Sequence, residues 1–586
     1  MFDLLHQLGA AVSSGLRASF PEASIPEVVP VDRSDRADLQ VTAAMQLARA
    51  LKKNPREIAA VIAASLGAHD AVERVEVAGA GFVNVTLKTG WLSAHARDAL
   101  ALPNVGGGRT VVVDYSSPNV AKPMHIGHIR STILGESIKR VLRAVGYTVI
   151  ADNHLGDWGT QFGKLIVAWN RWVDLEAFAR EPVNELLRIY VRYSDEEKAQ
   201  RKSLGQKEIE GEEGEGAAEG AVPEVLAAAR AELVKLQQGD PANLALWRRF
   251  VDVSMKEFDR VYQRLGVSFD VTLGESFYNP VLADTVRALM ERGVAEESEG
   301  AIVVTFSKER DGEAMPPLLV RKRDGGFLYG TTDIATVAHR VKTWNPARIL
   351  YVTDERQQLH FRQFFAASRR MGETVSLEHV WFGLMRLPEG TFSTRDGNVI
   401  GLEALLDESE RRAREVAKAS NPELSDAELD EVARVVGLGA VKYNDLSKDR
   451  TTLVTFTWDK ALALNGNTAP YLQYAYARMR SILRKAEAMG AAPGEVRLAE
   501  PAERALVMAL LGYPLAVAEV ARSARPNVLC DQLYGIAQAF STFYNECPVV
   551  QSEPAVRASR LALVSLTADV LRAGLGLLGI ETLERM

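Results

Sequence analysis

The spacing of apolar residues changes several times along the chain, and each change marks a segment. Over 1–19 and again over 36–66 apolar positions recur every three or four residues, which predicts amphipathic helices. "VERVEVAG" and "GFVNVTLK" then alternate and predict two strands joined at Gly79–Gly81. "LPNVGGGRT" reads as a linker. Beyond it "TVVVDYS" is a short β-branched strand, and Ile126, Ile129, Ile133, Leu134, Ile138, Leu142 and Val145 fall at helix spacing. "YTVIADN" predicts a second strand and 160–173 a second helix. Strand, helix, strand, helix implies a parallel sheet built of βαβ units. The acidic stretch "EIEGEEGEGAAEG" (208–220) predicts a solvated loop, and 224–264 is helical, so about 170–280 reads as an insertion into the α/β domain. The sheet is expected to resume with "GAIVVTF", "LLVRKRDGGFLYGTTDIATVAHRV" and "ARILYVTDERQQLH". Helices follow from about 403. From about 455 onward nearly everything is helical, with breaks at Pro470, Pro501, Pro514, Pro526 and Pro548.

At 586 residues the chain is too long for one core, and one domain per ~150 residues suggests several units. The apolar fraction of 47% is ordinary for a soluble protein. No run approaches the ~18 apolar residues of a membrane span. The N-terminus lacks a basic region followed by an apolar core, so it reads as a helix and not a signal peptide. The two cysteines, Cys530 and Cys547, show no CxxC spacing, which argues against a cysteine metal site and for a reducing cytoplasm. A net charge of −7 speaks against indiscriminate nucleic-acid binding but permits a basic surface on one domain.

The densest chemistry lies in "DYSSPNVAKPMHIGHIRSTILGESIKRVL". A helix that begins just after the first strand of a parallel sheet sits where such sheets bind ligands. Its free N–H groups and dipole favour an anion. His125 and His128, at i and i+3, share one face there, and imidazoles can donate to phosphate oxygens. Gly127 lets a flat ring approach the backbone. No third metal ligand accompanies the histidine pair, so a zinc site is not expected.

The "HIGH" tetrapeptide resembles the signature of class I aminoacyl-tRNA synthetases, shared in looser form with other nucleotidylyltransferases. The longer strings "SSPNVAKPMHIGHIRSTILG" and "NHLGDWGTQFGKL", with "PYLQYAYARMRSI" and a terminal "ERM", resemble arginyl-tRNA synthetases along essentially the whole chain. The resemblance implies a multidomain α/β protein. It would have an α+β N-terminal domain (1–105) that associates with tRNA and a Rossmann-like catalytic domain (106–385) carrying the insertion. A connecting region (386–454) and an all-α domain (455–586) that binds the anticodon would follow. It implies activation of L-arginine by ATP with Mg²⁺, transfer of arginine to its tRNA, and a cytoplasmic monomer that does not engage a membrane. His125, His128 and Lys122 would be catalytic, and His125, Gly127, His128, Ser393 and Arg395 would bind ATP. Asp114, Ser117, Asn119, Tyr329, Asp333 and Gln357 would bind arginine, with Asp333 on the guanidinium and Asp114 toward the ammonium. Tyr471, Tyr474, Arg478 and Met586 would contact tRNA, with Arg480, Arg484 and Lys485 adding charge.

One motif departs from the family. Where class I enzymes carry a "KMSKS"-like loop, this chain has "TFSTRDGN" (391–398). Ser393 is present, Thr394 stands at the lysine position, and Arg395 is followed by Asp396. Lys122, just upstream of His125, is placed to supply the missing cation. Rival readings are a synthetase for another amino acid, a small-molecule nucleotidylyltransferase and an inactive tRNA-binding relative. The acidic pocket argues against apolar amino acids and separates arginine from lysine less sharply, while the long helical C-terminal third and the intact His125, His128, Lys122 and Asp333 argue against the other two in turn.

Overall fold

Val111, Val112 and Val113 are fully buried because the strand they form, Thr110–Asp114, lies inside a four-stranded sheet. The order across it is Ser376–His379, Arg348–Tyr351, Thr110–Asp114, Thr148–Asp152, and every pairing is parallel. From Thr110–Asp114 the chain crosses through the helix Ile126–Ala144 to one neighbour, and much later returns on the other side. The carboxyl ends of Thr110–Asp114 and Arg348–Tyr351 therefore flank a topological switch point. The helix packs closely on the connection: a Cβ at Gly135 would lie 2.2 Å from Cγ of Tyr115.

The computed structural model describes residues 1–34, 36–205, 222–323, 325–386 and 401–586. The sheet belongs to a unit made of Gly106–Arg412 and Asn444–Lys460. Its insertion is helical: Pro182–Ser203, Glu224–Gln237 and Pro241–Leu265 pack with the preceding helix Thr160–Trp172 around Phe162, Ile166, Leu186, Ile189 and Phe250. The 208–220 segment lies outside the described residues. The expected resumption of the main sheet at "GAIVVTF" and "LLVR" does not occur. Ala301–Val304 and Leu318–Arg321 join Glu296–Ser298 in a separate three-stranded antiparallel sheet. A tight turn at Glu299 (φ 52°) and Gly300 (φ 81°), a left-handed pair, folds Ala301–Val304 back antiparallel on Glu296–Ser298.

A second unit comprises Met1–Val105, Ala413–Tyr443 and Ala461–Met586. In it Asp32–Arg33, Leu39–Val41, Phe82–Leu87 and Val72–Ala78 form an antiparallel sheet in that order. The helix expected over 36–66 is instead the strand Leu39–Val41 and two helices, Ala43–Leu51 and Pro55–Gly67. Lys52 in the left-handed region ends the first, and Asn54 caps the second with Pro55 at its first position. In the C-terminal part Pro470, Pro501 and Pro514 sit in the first turns of helices, so they start helices and do not interrupt them. The stretch Pro501–Ser523 is apolar and long enough to span a membrane, yet it is two helices broken at Gly512 and 67% of its apolar window is buried in the fold.

Candidate active site

The connection from Asp114 to the helix is held in an unusual backbone. Ser116 (φ 72°), Ser117 (φ 46°) and Ala121 (φ 64°) are all non-glycine residues in the left-handed region. Such residues persist only where the surroundings over-determine them, and they cluster at functional sites. Here each amide is claimed. Ser116 N–H donates to Ser131 Oγ (2.8 Å), Ser117 N–H to Asn153 Oδ1 (3.1 Å) and Ala121 N–H to Ser254 Oγ (2.9 Å).

The helix then begins with a reciprocal cap made of histidines. Gly127 N–H donates to His125 Nδ1 (3.0 Å), and His125 N–H donates to His128 Nδ1 (3.1 Å). Burial, with Lys122 and Arg356 nearby, lowers the pKa of His125 to about 4; burial, with His125 beside it, lowers that of His128 to about 3. Both rings are therefore neutral at pH 7. Because each Nδ1 accepts a backbone N–H, each ring proton sits on Nε2. The motif presents two neutral Nε2–H donors, with ring centroids 3.9 Å apart, at a helix N-terminus. Gly127 is exposed, and a Cβ there would meet His125 Cε1 at 2.7 Å and Nδ1 at 2.9 Å. The glycine thus makes room for the histidine ring itself.

Arg130, one turn on, is buried and pairs with Asp445 (2.8 Å). It also donates to the Gly383 carbonyl, fixing this helix to the residues around the strand Met385–Arg386. Lys122 places Nζ 5.0 Å from the ring centroid of Tyr190 on the insertion. Ser393 and Arg395 lie outside the described residues; Gly401, the first described residue after them, bridges to His125.

The acidic residues gather at the same strand ends. Asp114 is 5% exposed; its Oδ1 accepts from Ser117 Oγ (3.0 Å) and its Oδ2 from Arg340 Nη2 (2.6 Å). Arg340 Nη2 also donates to Asp152 Oδ2 (2.7 Å). Asn119 is exposed and bridges to Gly156. Tyr329 and Asp333 occupy the first turn and a half of the helix Tyr329–Trp344 and meet at His360: its Nε2 lies 2.5 Å from Asp333 Oδ2 and its ring centroid 4.5 Å from that of Tyr329. Tyr329 is 42% exposed, and Gln357 is exposed at the start of the helix Gln358–Arg370. Tyr351 lies within electrostatic reach of both Asp114 and Asp333.

Three residues here escaped the sequence reading. Asp152 ends its strand in register with Asp114, and "YTVIAD" repeats the pattern of "TVVVD", so a signal existed. His360 lies three residues beyond Gln357 in a string already singled out. Arg340, in "AHRVK" near the end of a helix, looks like a solvent-facing residue, yet it is fully buried.

In the other unit, Ala469–Ala488 carries the tyrosines expected to meet nucleic acid. Tyr474 is 51% exposed. Tyr471 packs edge-on against Tyr534 (5.7 Å), and Arg478 lies over the Tyr544 ring (4.5 Å), so the helix Asn527–Glu546 adds two aromatics that the sequence reading did not include. Arg480 and Arg484 are paired with Glu584 (2.7 and 3.5 Å), which reduces the charge assigned to them. Met586 packs beside Ala413, Ala417 and Leu429.

Three family models match the chain: "tRNA synthetases class I (R), catalytic domain" over 93–458, "DALR anticodon binding domain" over 472–586 and "Arginyl tRNA synthetase N terminal domain" over 6–87. The chain is 42% identical over 600 residues to an arginine–tRNA ligase of Hahella chejuensis, covering 100% of both chains. It is 44% identical over 586 residues to that of Alteromonas mediterranea, covering 95% of this chain and 96% of the relative. The solved arginyl-tRNA synthetase of Thermus thermophilus superposes with a TM-score of 0.82 at 25% identity, covering 100% of each chain.

Proposed function

The chain belongs to the arginyl-tRNA synthetases, and on that premise we propose that it couples L-arginine to the terminal adenosine of its tRNA in two steps at the strand edge described above. In the first, a carboxylate oxygen of arginine attacks the α-phosphorus of ATP. The bond from that phosphorus to the bridging oxygen breaks, and pyrophosphate leaves. In the second, a hydroxyl of the terminal adenosine attacks the arginyl carbonyl, the bond from that carbon to the phosphate oxygen breaks, and AMP departs as the hydroxyl proton is released. Neither step needs a nucleophile from the protein, so catalysis consists of positioning and of stabilising charge on oxygen.

The observation that carries this reading is the histidine cap. Two neutral rings with Nε2–H outward, at a helix N-terminus, donate to phosphate oxygens without adding a charge that must be desolvated. Lys122 contributes the fixed cation, and Ser393 and Arg395 are assigned to the ATP phosphates. Asp333, steadied by His360, takes the guanidinium with Tyr329 and Gln357 as neutral acceptors. Asp114, Ser117 and Asn119 take the amino-acid head group. Mg²⁺ is assigned to the ATP phosphates, where it would offset their charge. Tyr471, Tyr474, Arg478 and Met586 are assigned to tRNA, within the domain limits read from sequence. The working form is taken as a cytoplasmic monomer, as read from the sequence.

The test is the Michaelis constant for arginine in ATP–pyrophosphate exchange. Asp333→Asn should raise it sharply while leaving that for ATP unchanged. An unaltered arginine constant would remove Asp333 from the pocket.

A further inference from the structure

We infer that Arg340 is a positioning residue that sets the charge of the substrate-facing strand edge: it lets Asp114 and Asp152 stand side by side ionised and leaves one net negative charge for the substrate's ammonium group. This rests on the reading that places Asp114 at that ammonium.

Asp114 and Asp152 are register partners at the ends of neighbouring parallel strands, which run ~4.8 Å apart. Both are buried, at 5% and 0% exposure. Two carboxylates so placed cannot both ionise without a cation, because their repulsion and their desolvation both favour taking up a proton. Arg340 supplies the cation from a different element, the helix Tyr329–Trp344, and a single nitrogen, Nη2, reaches both carboxylates at 2.6 and 2.7 Å. Burial works against its charge, but the two aspartates outweigh burial and keep it protonated; burial in turn raises the pKa of Asp152, and Arg340 opposes that rise.

Three of the titratable groups around the cluster are uncharged at pH 7. Tyr351 lies under the guanidinium, its ring centroid 5.2 Å from Cζ. Burial raises Tyr351 and pushes Tyr278 up to about 12, so both are neutral at pH 7. His339, on Arg340's own helix, is lowered by burial and by Arg340 and is neutral there too. Lys342 reaches His339, His154 faces Asp152, and Asp333 reaches Tyr351. With two anions and one cation in the trio, the edge holds one unbalanced negative charge against one ammonium. A second buried anion would have no partner in the substrate.

The inference has a compensatory signature that a purely structural role lacks. The arginine constants in ATP–pyrophosphate exchange are measured from pH 6 to 9 for Asp152→Asn, Arg340→Met, the double variant, Arg340→Lys and Asp114→Asn, with the ATP constant as control. Asp152→Asn leaves Asp114 neutralised by Arg340, so the arginine KM should rise roughly tenfold at every pH with the ATP KM unchanged. Arg340→Met leaves two unshielded carboxylates whose shared proton is held more tightly. As pH falls the pair of carboxylates takes up that proton, so a new ionisation should appear in kcat/KM for arginine, with activity lost toward low pH. The double variant has one carboxylate and no cation; without the repulsion between the pair its profile should be less pH-dependent than that of Arg340→Met, with a KM within about threefold of wild type at pH 8 and above. Arg340→Lys keeps the charge and should keep the flat profile. A double variant no better than the worse single one, or an Arg340→Met profile parallel to wild type, overturns the inference. If Arg340→Met does not fold, an unchanged arginine KM in Asp152→Asn overturns it, and a raised one supports it. An unchanged KM in Asp114→Asn rejects the placement of Asp114 itself. A raised KM there without compensation in the double variant rejects only the role of Arg340.

Discussion

Replacing Gly127 by alanine separates the packing of the histidine cap from the stability of its helix. The glycine's φ is not in the left-handed region, so alanine suits the backbone. Alanine in a helix is favoured over glycine by up to ~1 kcal/mol. The new Cβ would lie 2.7 Å from His125 Cε1 and 2.9 Å from Nδ1, closer than such atoms approach, so the His125 ring must move. Moving it gives up the bond from Gly127 N–H, worth a net ~1 kcal/mol. The two terms are opposite and similar, so unfolding free energy should change by less than ~1 kcal/mol. Activity has no such compensation. A ring displaced from the cap no longer aims Nε2–H at the phosphate, and losing one donor of that kind costs roughly 10²–10³ in rate. Exchange at saturating arginine and ATP should fall by that factor, with the arginine KM little changed. If Gly127→Ala exchanges within about threefold of wild type, the reasoning is refuted: His125 is not a donor, or the ring has another way to reach its target.

Because His125 and His128 stay neutral down to about pH 4 and about pH 3, exchange should show no ionisation from them between pH 5.5 and 8, read from a kcat profile. Both are depressed below the ~6.5 of an unfolded chain, so the unfolded state binds more protons in that window; the stability they contribute is present above ~6.5 and is lost as pH falls toward 4 and 3, a trend that denaturant titrations would follow. Lys122→Ala should lower the adenylation rate about a hundredfold with arginine affinity unchanged, in single-turnover assays; a near-wild-type rate combined with a dead Arg395→Ala would return the cation's role to the 391–398 loop. Replacing Tyr471, Tyr474 and Arg478 together should weaken tRNA binding and reduce its salt dependence in filter assays, while unchanged affinity would make this helix a packing element.

The sequence made the motif helix legible because strand, prolines, glycine and two histidines lie within one short string. It made Tyr329 and Asp333 legible because they share a helical turn. The network behind them was not legible, since it depends on side chains brought together from distant segments. Arg340 contacts Asp114 across 226 positions. Nothing in "AHRVK" shows which side of its helix is buried. The first hairpin of the antiparallel sheet turns on a local feature, the left-handed pair Glu299–Gly300, which a strand pattern alone does not show. The strand Leu39–Val41 was lost inside a helical period because three residues are too few to establish alternation. The charge of the tyrosine helix was overestimated because Glu584, which pairs with Arg480 and Arg484, lies about a hundred residues away.

The central claim is that this strand edge activates arginine for transfer to tRNA. Its most direct test is aminoacylation of unfractionated tRNA with radiolabelled arginine, lysine and citrulline in parallel, at equal enzyme and with ATP present. A pocket built to satisfy five fixed guanidinium donors leaves buried acceptors unpaired with a poorer donor, and such sites discriminate by ~10⁴ or more. Arginine should be charged to a plateau, with lysine and citrulline at background. Charging of lysine at a comparable rate would contradict the account.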